Sequence, residues 1–188
     1  LISTFGKAQI AGNAAALSVT SLQYIPGSAM GVAIIIIVGR CIGAQEKEQA
    51  KKYTLRLVAI TYGVIMALSA VICLFVDPIV GSYHLAGESG ELAKHLILYH
   101  SICVCTIWPM AFTLPNSFRA ASDVKFTMGL SIFSMWVFRI GLSHLLNAWF
   151  DLGVMCVWYG MTVDWAFRAV VFTIHYLRGS WLKKYKAY

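Results

Sequence analysis

Charge is scarce in this chain. Only 12% of its 188 residues are Asp, Glu, Lys or Arg, and the acids number eight. Soluble domains carry about twice that share, about 25%, so a water-facing surface of ordinary composition cannot be built from these residues. Proline is also rare, at four residues, which excludes collagenous and proline-rich extended chains. Five cysteines lie mostly inside apolar runs rather than spaced through loops, which excludes a disulfide-stapled secreted scaffold. Signatures of catalysis and metal binding are missing too: there is no HExxH, no CxxC, no phosphate loop and no Ser-His-Asp set. Cys103 and Cys105 stand two apart on a helix, and His95 and His100 five apart, so neither pair converges on a metal. No basic segment followed by a short apolar core and a cleavage site opens the chain.

What is present is hydrophobicity, 59% of the residues. A membrane-crossing helix needs about 20 predominantly apolar residues, and several windows provide them. Leu57 to Val76 contains no charge at all. Ala8 to Gly39 is uncharged but too long for one crossing, and Ser18, Thr20, Ser21, Gln23 and the Pro26-Gly27 pair mark its middle. We expect two helices there, about 1–17 and 22–43, joined by a short connection. Further spans are expected at about 54–76, 92–114, 126–150 and 152–176, with a kink at Pro109. The expected fold is an all-α transmembrane bundle of five complete spans and the remains of a sixth, followed by a tail at 177–188. No internal repeat or linker divides it.

The net charge of +7 suits nucleic acid only if the basic residues form a stripe. They cluster in alternate connections instead. Arg40, Lys47, Lys51, Lys52 and Arg56 fall in one, Arg119 and Lys125 in another, and Arg178, Lys183, Lys184 and Lys186 in the tail. The positive-inside rule makes these segments cytoplasmic. We therefore expect a multi-pass protein of the cell (inner or plasma) membrane, with a cytoplasmic C-terminus and the lipid bilayer rather than nucleic acid as its surroundings.

Charges at membrane depth are costly and mark function by default. Arg139 and Asp164 each lie about twelve residues from the Asp151-Leu152 turn, roughly 18 Å deep at 1.5 Å per residue. Asp164 precedes Arg168 by four residues, the favourable order for a pair on one helix. The expectation is an Arg139, Asp164, Arg168 cluster facing the bundle interior, either pinning a helix hairpin or taking part in cation coupling. Gln23, Tyr99, His100 and Trp108 are candidate cavity residues; a membrane histidine either packs through a hydrogen bond or relays protons. Gly27, Gly31, Gly39 and Gly43 make two small-xxx-small pairs on one helix, suited to close helix approach or to a hinge.

Residues 38–50, VGRCIGAQEKEQA, resemble the helix end and cytoplasmic loop of multidrug and toxic compound extrusion (MATE) transporters, whose pattern is roughly VGQxIGAGxxxxA. The likeness continues in order through PNSFRAASDVKFTM at 115–128, similar to the family's RGxGD-like loop, then WVFRI at 136–140, LGVMCVWYGM at 152–161 and DWAFRA at 164–169. Gly39, Arg40, Gly43, Ala44, Arg119 and Asp123 are the motif residues. The resemblance implies a twelve-helix antiporter of two six-helix lobes around a V-shaped cavity, exporting small organic, often cationic, compounds against H⁺ or Na⁺. It implies no cofactor beyond that coupling ion and no enzymatic activity. This chain resembles the second lobe, from the end of helix seven to helix twelve, so the N-terminal lobe is its expected partner; a chain opening on Leu1 with a shortened first helix is expected to be truncated. Two departures stand out. Ser122 occupies a position usually held by Gly, and the 92–114 span lacks the acid through which some members couple. Two other readings are a related lipid-linked oligosaccharide flippase, which should show a strongly cationic cavity, and a membrane-embedded scaffold or enzyme.

Overall fold

The computed structural model describes residue 2 and residues 5–85, 87–150 and 152–183. Asp151, on which the expected hairpin turn was centred, and the tail residues Lys184 and Lys186 lie outside the described residues. The rest is helix. In chain order these are α1 (Lys7–Gly43), α2 (Lys47–Leu74), α3 (Val76–Ser82), α4 (Glu88–Thr106), a π-helical turn at Pro109–Thr113, α5 (Pro115–Ala120) and α6 (Val124–Ser134). A second π-helical segment at Met135–Leu142 leads into α7 (Ser143–Phe150), then α8 (Met155–Arg178) and a 3₁₀ turn at Ser180–Lys183.

Many polar residues lie inside and many large apolar ones outside, unlike the surface of a soluble domain. Gln23, Thr61, Ser69, His100, Ser101 and Asp164 are buried, whereas Ile25, Ile36, Met66, Trp136 and Trp149 are exposed. Such a surface is stable only against hydrocarbon. Among the described residues three helices are long and apolar enough to cross a membrane, and Glu88–Thr106 with Pro109–Ala120, bent by 58° at their break, are so when taken together. The kink expected at Pro109 is present. α8, 24 residues long, is not among these apolar helices, and it carries the buried Asp164 and Arg168.

The expected break between 17 and 22 is absent. α1 runs unbroken for 37 residues with Pro26 inside it. The hydroxyls that suggested a loop are absorbed by the helix itself: Ser18 Oγ donates to the Ala14 carbonyl at 3.0 Å, Thr20 Oγ1 to that of Leu17 at 3.3 Å and Ser21 Oγ to that of Ser18 at 2.7 Å. Away from water, interrupting a helix exposes several backbone groups, whereas Pro26 removes one donor, so the helix continues.

The interior has two apolar clusters along the bundle. One joins Ala15, Val19, Ile65, Ile72, Leu96 and Trp158; the other joins Ile34, Val38, Val58, Leu114, Phe118, Phe172 and Trp181. The small-residue stripe on α1 serves only half of this packing. A Cβ on Gly27 would run into the Trp108 ring and one on Gly31 would crowd Asn116, while Gly39 and Gly43 face open space. Close approach is therefore confined to the first pair.

Two non-glycine residues in the motif loops adopt left-handed backbone. Gln45 has φ 65° and Ser122 φ 63°, and each stands where the family pattern has Gly. A side chain in that region costs about 1 kcal/mol or more. Ser122→Gly and Gln45→Gly are each expected to raise the thermal unfolding midpoint of the purified protein, by about 0.5–1 kcal/mol of stability. An unchanged or lower midpoint would contradict the strain.

Candidate functional site

The kink after α4 and the π-helical turn beyond it swing two aromatic rings toward α1. Trp108 and Phe112 stack at 5.2 Å between centroids, and Tyr24 of α1 lies 5.7 Å from Trp108. Trp165 of α8 meets Phe112 edge-on at 5.7 Å. With Arg139 of the second π-helical segment, these rings line an open cavity of about 260 Å³. Trp108 and Phe112 also wall a neighbouring cavity of about 330 Å³ that continues along α1 past Gly27 and Gly31 to Asn116 and Arg119. Both π-helical segments thus contribute a side chain to one site. Local π geometry frequently marks functional positions, because the widened turn re-aims side chains.

Behind the aromatic wall lies a polar network. Gln23, fully buried, donates through Nε2 to Ser69 Oγ at 3.0 Å and to Ser101 Oγ at 2.9 Å. Its Oε1 lies 2.6 Å from His100 Nδ1, and His100 Nε2 lies 2.6 Å from the Tyr24 hydroxyl. That hydroxyl links the network to the cavity. Indole rings of Trp158 and Trp165 close over His100 edge-on, each at 5.6 Å.

The expected three-residue charge cluster divides. Asp164 and Arg168 pair, Nε to Oδ1, at 2.9 Å. Ser134 of α6 bridges them, donating to Asp164 Oδ1 at 2.6 Å and accepting from Arg168 Nε at 2.7 Å. Arg168 Nη2 donates to the Ser131 carbonyl at 3.0 Å, and the guanidinium lies 5.4 Å from the Phe112 ring centroid. Arg139 is not part of this cluster. It is exposed toward the cavity, and its Nη2 lies 3.8 Å from Met161 Sδ.

Equal residue counts from the hairpin turn do not give equal partners, because the two helices do not share one period. Near the hairpin turn, Cys156 faces Asn147 and Gly160 faces Ser143; deeper, Met161 faces Arg139 and Asp164 faces Ser134. From Cys156 to Asp164 α8 advances eight residues, while its partner runs back thirteen, from Asn147 to Ser134. The π-helical segment Met135–Leu142 lies in that interval, and its wider turns climb less per residue. Arg139 faces Met161, and Ser134 takes the place beside Asp164.

Of the candidate cavity residues, Trp108 lines both cavities, and Gln23 and His100 sit one hydrogen bond or two behind them. Tyr99 lines neither; its hydroxyl donates to Thr162 Oγ1 at 2.8 Å. The motif residues gather at the opposite end of α1 and around the α5–α6 turn. Arg40 is exposed, Ala44 caps α1 by donating its backbone N–H to the Arg40 carbonyl, and Arg119 donates to Asn116 Oδ1 at 3.0 Å. Asp123 is buried, its Oδ2 2.8 Å from His175 Nε2. Tyr24, Phe112 and Trp165 were not foreseen. As isolated aromatics in apolar helices they carry no signal, and only the kink and the crossing of α8 bring them together.

Comparison with known proteins agrees with this architecture. The MatE family's sequence model matches residues 1–145. This chain is a member of the MatE family of membrane proteins. It is 26% identical over 170 residues to the probable multidrug resistance protein NorM of Bacillus subtilis (strain 168), covering 90% of this chain and 37% of that protein. The corresponding NorM of Thermotoga maritima is 25% identical over 185 residues, covering 95% and 38%. A crystal structure of MATE in complex with MaL6 superposes with a TM-score of 0.80 at 22% identity, over 98% of this chain and 42% of that one. The chain thus spans well under half the length of these relatives.

The tight contact at the cavity wall is open to test. Gly27→Ala places a methyl against the Trp108 ring, and overpacking of this kind costs about 1–3 kcal/mol. The variant is expected to unfold at lower temperature, and Trp108→Leu in the same background should restore much of the loss.

Proposed function

We propose that this chain forms one lobe of a multidrug exporter and that the aromatic cavity is its share of the substrate path. The observation that carries this reading is the open pocket of Tyr24, Trp108, Phe112, Trp165 and Arg139 in a member of the MatE family. Four aromatic faces offer negative quadrupole density and flat apolar area to a planar organic compound, and a cation over such a ring gains about 0.5–2 kcal/mol. Membership supports an assembly with a second lobe, and transporter sites generally lie where such repeats meet, near the membrane midplane. Basic residues in alternate connections support a cytoplasmic C-terminus in the cell membrane. The driving gradient is H⁺ or Na⁺, with no organic cofactor.

The flippase reading calls for a cationic cavity. Here one arginine lines each of the two neighbouring cavities, Arg139 and Arg119, Arg168 is engaged by Asp164, and the remaining lining is mainly aromatic and apolar, so the balance favours aromatic organic compounds.

The test is export of a fluorescent organic cation from cells expressing the complete protein. Trp108→Ala should weaken apparent affinity by about two- to thirtyfold, the equivalent of one lost cation–π contact, when export is normalised to the amount of folded protein. Export of every tested cation at the same rate with and without the protein would remove the assignment.

A further inference from the structure

The cavity along α1 changes character from one end to the other. Trp108 and Phe112 form its aromatic end, Asn116 and Arg119 its polar end, and Gly31 and Val32 of α1 belong to the wall beside them. Asn116 is fixed in place. Its Nδ2 donates to the Phe112 carbonyl at 3.0 Å and to that of Thr113 at 3.2 Å, so its Oδ1 is left to accept from Arg119 Nη1 at 3.0 Å. Gly31 makes room for this arrangement, since a Cβ there would lie 2.5 Å from Asn116 Nδ2. The amide thus holds the guanidinium at the polar end of the groove.

Arg119 spends one N–H on Asn116, and a guanidinium carries five. Among the described residues no carboxylate pairs with it, and none pairs with Arg139 in the adjoining cavity. The charged side chains lining the two cavities are these two arginines; the nearby Asp164 is taken by Arg168. We propose that this groove binds an amphipathic organic acid, with Arg119 receiving the acid group and Trp108 and Phe112 the ring. The inference rests on the functional reading above and sets a preference within it: among aromatic compounds, those that carry a negative group. The planar fork of a guanidinium suits a carboxylate, sulfonate or phosphate, because two N–H groups reach two oxygens at once. Flat rings stack on the indole and phenyl faces whatever the charge at their far end.

The two ends also differ in surroundings. Arg119 is exposed at the end of α5, beside a connection read above as cytoplasmic, whereas Trp108 is buried within the bundle. A ligand laid along the groove therefore places its ring in the apolar zone and its acid at the boundary, where no charge is buried without a partner. An acid of this shape has two sources, a dissolved aromatic acid or an acidic lipid of the adjoining leaflet, and the chemistry that recognises it is the same.

The experiment compares binding of 2-naphthoate and 2-naphthamide, one ring system with and without a charge, to the purified complete protein in phosphatidylcholine nanodiscs. Titration calorimetry gives both affinities, and empty nanodiscs give the background partition. Wild type should prefer the acid by about three- to tenfold, a modest factor because Arg119 is exposed and screened, and the preference should shrink as sodium chloride is raised. Arg119→Gln should remove it while leaving naphthamide binding within about twofold. Arg119→Lys, which keeps the charge without the fork, should keep part of it, and Arg139→Gln should keep all of it. The ratio of the two affinities does not depend on how much of a variant is folded, so simple destabilisation does not imitate the result. A preference that survives Arg119→Gln, or that vanishes in Arg139→Gln, overturns the inference. Should Arg119→Gln not fold, a wild-type preference unmoved by both salt and Arg119→Lys overturns it equally. Phosphatidylglycerol added to the nanodiscs separates the sources: loss of the Arg119-dependent preference assigns the groove to a lipid headgroup, and its persistence to a dissolved acid. If wild type binds acid and amide equally, this inference alone fails; if it binds neither, the aromatic-cavity reading fails and this one with it.

Discussion

A polar group at membrane depth has no water to turn to, and the arrangement of this bundle follows from where such groups find partners inside the protein. Gln23 satisfies its amide across three helices, with Ser69 of α2 and with Ser101 and His100 of α4. The Asp164–Ser134–Arg168 contact ties α8 to α6 in the same manner. Unmade, each of these groups would cost several kcal/mol in hydrocarbon, so the two networks fix which helix faces meet. Dispersion packing alone, between helices as apolar as the lipid around them, has far less power to choose.

Within that frame the functional surface arises from departures from regular α-helix. The bend after α4 and the π-helical turn at Pro109–Thr113 aim Trp108 and Phe112 toward α1, and the second π-helical segment turns Arg139 into the same opening. The glycine at position 27 is what allows Trp108 to lie against α1 at all. A regular helix at either place would bury these residues in the packing or face them to lipid. Site and fold are thus coupled: the same local irregularities that shape the cavity shift the register between α7 and α8.

Much of the fold was legible in the residues. Composition, uncharged windows and the Pro109 kink led to an all-α membrane bundle, and the ordered motifs led to the family. The Asp164–Arg168 pair followed from spacing on one helix. The unbroken α1 was not legible, because Ser18, Ser21 and Pro26 are loop formers in water, and only in hydrocarbon does an intrahelical hydroxyl bond become the better choice. Arg139 was assigned the right helix and the wrong partner, since nothing in WVFRI announces a π-helical turn.

The sequence by itself determined what lies along the chain: which stretches are apolar enough for lipid, where charge is placed between them, and which residues share one helical face. These are local properties, set by composition and by a fixed helical period. The tertiary structure decided what lies across the chain. Whether Tyr24, Trp108, Phe112 and Trp165 form one pocket, and whether Arg139 or Ser134 faces Asp164, depends on the depth each helix has reached when it crosses its neighbour. That depth is a sum over every kink and widened turn before it, and a few residues of π-helix are enough to exchange one partner for another.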